Sequence, residues 1–319
     1  MKASMYRICM LAFLCLLNAC VATGVREATQ NVQLPRQVEL VNTPFYPQEL
    51  YQCGPAALAT ALNAVNIQVT PEQLTPEVYI PSRQGSLQIE MLAAARRHGA
   101  IAVTIPPNLQ SILKEVAAGN VVLVMQNLGF SWAPSWHYAV VVGYDLNKEL
   151  MWLRSGTFKR FEMTLSTFQR TWARSEYWAF VALPPGKLPA SAEADDVAKA
   201  LVAYEKNASI LERKTAYQAA VARWPNHLVL LMGLGNSAYT AGDLTEAANA
   251  FQQAIEAHPK VAAAYNNLAN VLLAQHKTQQ AEIIAEQGLA LTEGDEKLRQ
   301  QLMQTLAEVR AQRKLTTPK

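Results

Sequence analysis

The chain has 319 residues, of which 50% are hydrophobic and 17% charged, and it carries a formal net charge of +3. That composition fits about two globular domains and excludes disorder as the main state. The charge is too small and too scattered for a basic stripe along nucleic acid, since only the Arg310-Ala311-Gln312-Arg313-Lys314 run gathers cations, and a terminal run of that kind is usually a solvated tail.

The one continuous apolar block lies at the start. Lys2 and Arg7 precede apolar residues 8–17, and Leu17-Asn18-Ala19-Cys20 follows, which are the charged, apolar and small-residue regions of a signal peptide. The ending Leu-x-Ala-Cys resembles a bacterial lipobox. It implies removal of residues 1–19, a lipid on the Cys20 sulfur and, with Val21 in place of aspartate, export to the outer membrane facing the periplasm. An ordinary signal with an incidental cysteine is the alternative. Residues 20–43, polar and weakly patterned, read as a tether. Of the cysteines at 9, 15, 20 and 53, only Cys53 remains in the folded body, with no partner for a disulfide. An unpaired thiol in an exported protein is either buried filler or a working nucleophile.

Along 44–183 helix and strand signals mix. Ala57, Leu58, Ala61, Leu62 and Val65 predict a helix over 54–66, and a second over 87–98 stops at Gly99. Strands are predicted over 100–105, 121–126, 137–144, 151–154 and 178–183, which makes this domain α+β. Pro184-Pro185-Gly186-Lys187-Leu188-Pro189 opens a linker over 184–196. Residues 197–312 are helical and alanine-rich, and they repeat: Tyr217, Ala220 and Pro225 return 34 residues later as Phe251, Ala254 and Pro259, then as Ala285, Gly288 and Glu293. Thirty-four residues is the tetratricopeptide period. Gly235 and the neighbouring small residues let paired helices approach while Phe251 fills the gap between them. Two good units and one worn one give about the minimum stack that buries a shared face, and such a stack presents a surface to a protein partner but no chemistry. Residues 313–319 read as a tail.

The segment Gln48-Glu49-Leu50-Tyr51-Gln52-Cys53-Gly54-Pro55-Ala56-Ala57-Leu58 sets the thiol at the first turn of the 54–66 helix. Pro55 suits a first turn, and the free N–H groups there should lower the thiol from its ordinary value of about 8.5. Gly54 would let the backbone pass close to a substrate carbonyl. The Cys53 N–H and the Gln48 side chain would then form an oxyanion hole. Among five histidines, His98, His227, His258 and His276 lie at helix ends or repeat turns, whereas His137 opens the apolar strand His137-Tyr138-Ala139-Val140-Val141-Val142-Gly143-Tyr144-Asp145. No His, Cys or carboxylate cluster has metal-ligand spacing, and no glycine-rich phosphate loop is present, so no cofactor is expected.

These two motifs, with Gly85-Ser86-Leu87-Gln88-Ile89 as a weaker third, resemble the papain-like cysteine peptidases of the bacteriocin-leader, double-glycine family over residues 44–183. The resemblance implies an α+β papain-like domain with Cys53 as nucleophile, His137 as general base and acid, and Gln48 as oxyanion donor. Combined with the lipobox and the repeats, it resembles a lipoprotein subgroup and implies a peptide or protein substrate. The family's third residue, an aspartate about sixteen positions past the histidine, is absent: Trp152-Leu153-Arg154-Ser155-Gly156-Thr157 occupies that stretch. Asp145 is about 26 Å along the strand at ~3.3 Å per residue. Ser155 remains as an uncharged acceptor for His137. The expected activity is therefore a lipid-anchored periplasmic cysteine peptidase. The alternatives are thiol acyl transfer by the same residues and a scaffold that keeps a silent domain. The aromatic stretch 127–136 reads equally as packing over the sheet edge or as a cleft wall.

Overall fold

The computed structural model describes residues 33–48 and 52–316. The signal peptide and Cys20 lie outside the described residues. Among those described, no helix is long and apolar enough to cross a membrane. The described residues through Pro184, together with Pro189–Asp196, form one compact unit, and Pro185–Leu188 with the chain from Val197 onward forms a second.

The first unit is built on an antiparallel sheet of seven strands: β1 (Gln37–Glu39), β4 (Ile101–Thr104), β5 (Val122–Asn127), β6 (Trp136–Asp145), β7 (Leu150–Ser155), β8 (Phe158–Thr164) and β9 (Ala179–Leu183). A two-stranded ribbon, β2 (Tyr79–Ile80) with β3 (Gly85–Ser86), stands apart. Five α-helices among the described residues pack with it: α1 (Cys53–Asn63), α2 (Pro71–Val78), α3 (Gln88–Arg97), α4 (Leu109–Ala117) and α5 (Leu165–Ala173). The strand order is β4-β9-β5-β6-β7-β8. Strand β1 pairs with the far end of β6, Gln37 opposite Asp145, so residues expected in the tether belong to the sheet.

Central strand β6 sets the geometry. Its first half pairs with β5, from Asn127 opposite Trp136 to Val122 opposite Val141, while its pairing with β7 begins only at Val140 opposite Arg154. The start of β6 is therefore uncovered on the β7 side, and its backbone polar groups there need other partners. Side chains alternate along a strand. Tyr138, Val140 and Val142 project into the core cluster with α1. Every residue of α1 from Gly54 to Leu62 is buried, which accounts for its run of Ala and Leu in place of an amphipathic stripe.

The second unit is helical: α6 (Ala194–Tyr204), which enters it at Val197, α7 (Ile210–Arg223), α8 (Leu228–Thr240), α9 (Leu244–Ala257), α10 (Ala262–Ala274), α11 (Thr278–Leu289) and α12 (Glu296–Thr316). The 34-residue register is visible in its packing. A Cβ added at Gly235 would sit 2.5 Å from the Phe251 ring, and one at Gly233 2.2 Å from the Tyr217 ring, so glycine permits the close helix approach the repeat requires. Tyr217 and Phe251, one period apart, are both fully buried. The residues read as a tail continue α12 to Thr316.

Candidate active site

The helix that carries Cys53 starts without a side-chain cap, which leaves its first N–H groups for the thiol. The backbone N–H groups of Tyr138, Gly54 and Cys53 itself all favour the thiolate. The Tyr138 N–H belongs to the uncovered start of β6, one residue past His137. Burial outweighs these donors and pushes the Cys53 thiol above its ordinary value. The expected low thiol pKa is thus overturned: the helix terminus acts, but loss of water around the sulfur is the larger effect.

Gln48 fills the gap between β6 and the β7–β8 turn. Its backbone N–H donates to the Gly156 carbonyl at 3.0 Å, its Oε1 accepts from the Gly156 N–H at 3.1 Å, and its Nε2 donates to the Tyr138 carbonyl at 3.3 Å. The side-chain amide therefore replaces the ladder bonds that β7 does not supply. One hydrogen on Nε2 is used in this way, which leaves one for a substrate oxyanion. Arg154, buried in β7, holds the preceding segment by donating to the carbonyls of Val41 and Thr43 at 3.2 Å and to that of Lys159.

His137 projects to the sheet face opposite Tyr138, where its Nε2 lies 2.8 Å from Ser155 Oγ, the contact expected from sequence. With little water around it, the imidazole is held down to about 4 and stays neutral at neutral pH. When Nε2 donates to Ser155, Nδ1 keeps the lone pair that can take a proton. Asp145 is spent elsewhere: its Oδ1 caps the β6–β7 turn, accepting from the N–H groups of Asn147 and Lys148 at 2.9 and 3.0 Å. Cys53, the Tyr138 backbone, Gln48 and the His137–Ser155 pair thus converge at one end of β6, with both titrating groups neutral at rest.

Two contributors were missed by sequence reasoning. Tyr138 supplies a backbone donor to the sulfur and a carbonyl to Gln48, and its hydroxyl donates to the Ser86 carbonyl at 3.1 Å. Ser86 explains Gly54. A Cβ at residue 54 would lie 2.2 Å from Ser86 Oγ, so the β3 ribbon by itself requires glycine there. Only the short Gly85-Ser86 signal hinted at this contact.

The His137 value gives a pH prediction. Its folded pKa of about 4 lies below the unfolded value of about 6.5, so the contribution is complete above pH ~6.5 and is lost as pH falls toward about 4. By pH ~4.5 the loss amounts to roughly 3 kcal/mol. Urea unfolding of wild type and His137→Asn at both pH values should show this extra acid sensitivity in wild type alone.

A thiol at a helix start, an imidazole on the adjacent strand and a side-chain amide between them define an α+β domain of cysteine-peptidase architecture. Residues 30–179 match the Peptidase_C39 like family, and residues 214–248 and 232–296 match the tetratricopeptide repeat. The chain thus carries a Peptidase_C39-like domain followed by tetratricopeptide repeats. Similar solved structures include a protein described as a C39-like peptidase from Bacillus anthracis, 19% identical, with a TM-score of 0.39, covering 46% of this chain and 97% of its own. Another is the Sgt2 TPR domain from Aspergillus fumigatus, 17% identical, with a TM-score of 0.35, covering 40% of this chain and 87% of its own. No curated protein matches the chain.

Proposed function

We propose that this chain is a cysteine peptidase, lipid-anchored through Cys20 at the outer membrane and facing the periplasm, whose repeats recruit a protein partner or substrate. The observation that carries the peptidase reading is the convergence of Cys53, Gln48 and the His137–Ser155 pair on the uncovered start of β6. The lipobox-like residues 17–20 support the anchor. Cys53 attacks the scissile carbonyl as His137 takes its proton, because with both groups neutral at rest that transfer has to accompany the attack. The Cys53 N–H and the spare Gln48 hydrogen meet the oxyanion, and His137 returns the proton to the leaving amine. Water then opens the thioester. The neutral resting pair and the serine in the carboxylate's place favour one second reading, a silent domain serving as a scaffold.

Incubating the protein with an unfolded casein substrate and sequencing the products separates the two readings. The peptidase reading predicts cleavage by wild type, none by Cys53→Ala and a loss of at least a hundredfold in His137→Ala. Undiminished cleavage by Cys53→Ala would sink it.

A further inference from the structure

The loop joining β5 to β6 does not cover the sheet edge. Phe130 is 63% exposed, Trp132 83% and Trp136 52%, and the Phe130 and Trp132 rings are stacked, 5.5 Å apart and within 7° of parallel. Packing therefore does not explain these aromatics.

The loop is nevertheless well braced. Leu128 N–H donates to the Ser135 carbonyl at 2.9 Å, and Phe130 and Ala133 exchange backbone bonds of 3.1 and 3.2 Å. Asn127 Oδ1 accepts from the N–H groups of Gly129 and Ser135, and Arg174 reaches from the end of α5 to the Gly129 carbonyl at 2.6 Å. Fixing the backbone in advance lowers the ordering cost of any contact the rings make.

We propose that Phe130, Trp132 and Trp136 form a binding platform for an extended polypeptide that presents a large apolar or aromatic side chain beside the bond to be cut. This rests on the peptidase reading, since it places that substrate on the platform. Two observations choose the occupant. Trp136 immediately precedes His137 in β6 and, by alternation, shares the sheet face of Tyr138, whose N–H reaches the Cys53 sulfur, so the loop that carries the three rings ends at the candidate site. Residues 127–138 contain no Lys, Arg, Asp or Glu, and Arg174, which reaches the loop, is engaged by the Asn127 and Gly129 carbonyls, so the rings reward apolar area.

The test uses the full chain and two pools of fluorescein-labelled ten-residue peptides, one with Phe, Trp or Leu at the central positions and one with Ser or Gly there. Binding to Cys53→Ala, read by fluorescence anisotropy, needs no turnover. The apolar pool should bind at least tenfold more tightly, and adding Phe130→Ser with Trp132→Ser should remove the difference. In a chain that keeps Cys53, the same pair of substitutions should leave the pH profile of thiol alkylation unchanged. Equal binding of the two pools, or a preference that survives the substitutions, overturns the platform. So does a blue shift of Trp emission on phosphatidylcholine–phosphatidylglycerol vesicles without any peptide preference, which would make it a lipid contact. Platform-dependent binding without cleavage by wild type would refute the peptidase reading alone, and cleavage without preference would refute the platform alone.

Discussion

Replacing Ser155 with aspartate is expected to raise kcat/KM for peptide hydrolysis by about tenfold or more. Ser155 Oγ lies 2.8 Å from His137 Nε2, so an aspartate there, whose oxygens reach one bond farther from Cβ, meets the imidazole after a change of χ1 and supplies a negative charge beside it. Opposite charge at that range favours the imidazolium and moves its pKa up by roughly one to three units. From about 4 the group would rise toward the range where a base takes and returns a proton most effectively. The acid limb of the pH–rate profile should move up with it. Ser155→Asn, similar in size but uncharged, should produce neither change. A folded Ser155→Asp protein whose acid limb stays in place would show that the residue does not tune His137.

The second large effect concerns stability. Glu115, in α4, is fully buried, and its carboxylate accepts from Asn120 Nδ2 at 2.7 Å, the Ala190 N–H at 3.1 Å, the Ser191 N–H at 2.7 Å and the Ser191 hydroxyl at 2.6 Å. These bonds fasten the segment read as a linker to the first unit. Glu115→Ala leaves several donors without an acceptor and should cost about 3 kcal/mol, because each unpaired buried donor keeps its desolvation penalty. Glu115→Gln keeps an acceptor oxygen and should cost less. Urea unfolding followed through the tryptophans of the first unit provides the measurement, and equal midpoints for Glu115→Ala and wild type would refute the bonding scheme.

What the sequence disclosed follows from how local each signal is. Strands β5, β6, β7 and β9 are short apolar runs between turns, and the 34-residue repeat puts small and aromatic residues in phase; both patterns survive without tertiary knowledge. Helix α2 escaped reading because Pro76 lies inside it, although Thr70 and Gln73 form a capping box at its start. Strand β8 has mostly exposed side chains and no apolar alternation to betray it. Strand β1 is three residues whose only support is the far end of β6. In the site, Cys53, His137 and Gln48 were visible as motifs, and Ser155 from a plausible strand return. The raised thiol was not visible, because the burial of one sulfur depends on how α1, β6 and the β3 ribbon close around it. The packing demand on Gly54 was hidden for the same reason: its neighbour Ser86 is 32 positions away in sequence.

Thiol catalysis at Cys53 is tested most directly by looking for the acyl-enzyme. Wild type and His137→Ala are mixed with a peptide thioester, quenched in acid within seconds, and their masses measured intact and after digestion. An acyl group is expected on Cys53 in wild type, none in Cys53→Ala, and acylation slowed at least a hundredfold in His137→Ala, since the neutral thiol needs the imidazole to take its proton. A folded wild-type protein that never acylates, or a His137→Ala protein that acylates as fast as wild type, would contradict this mechanism.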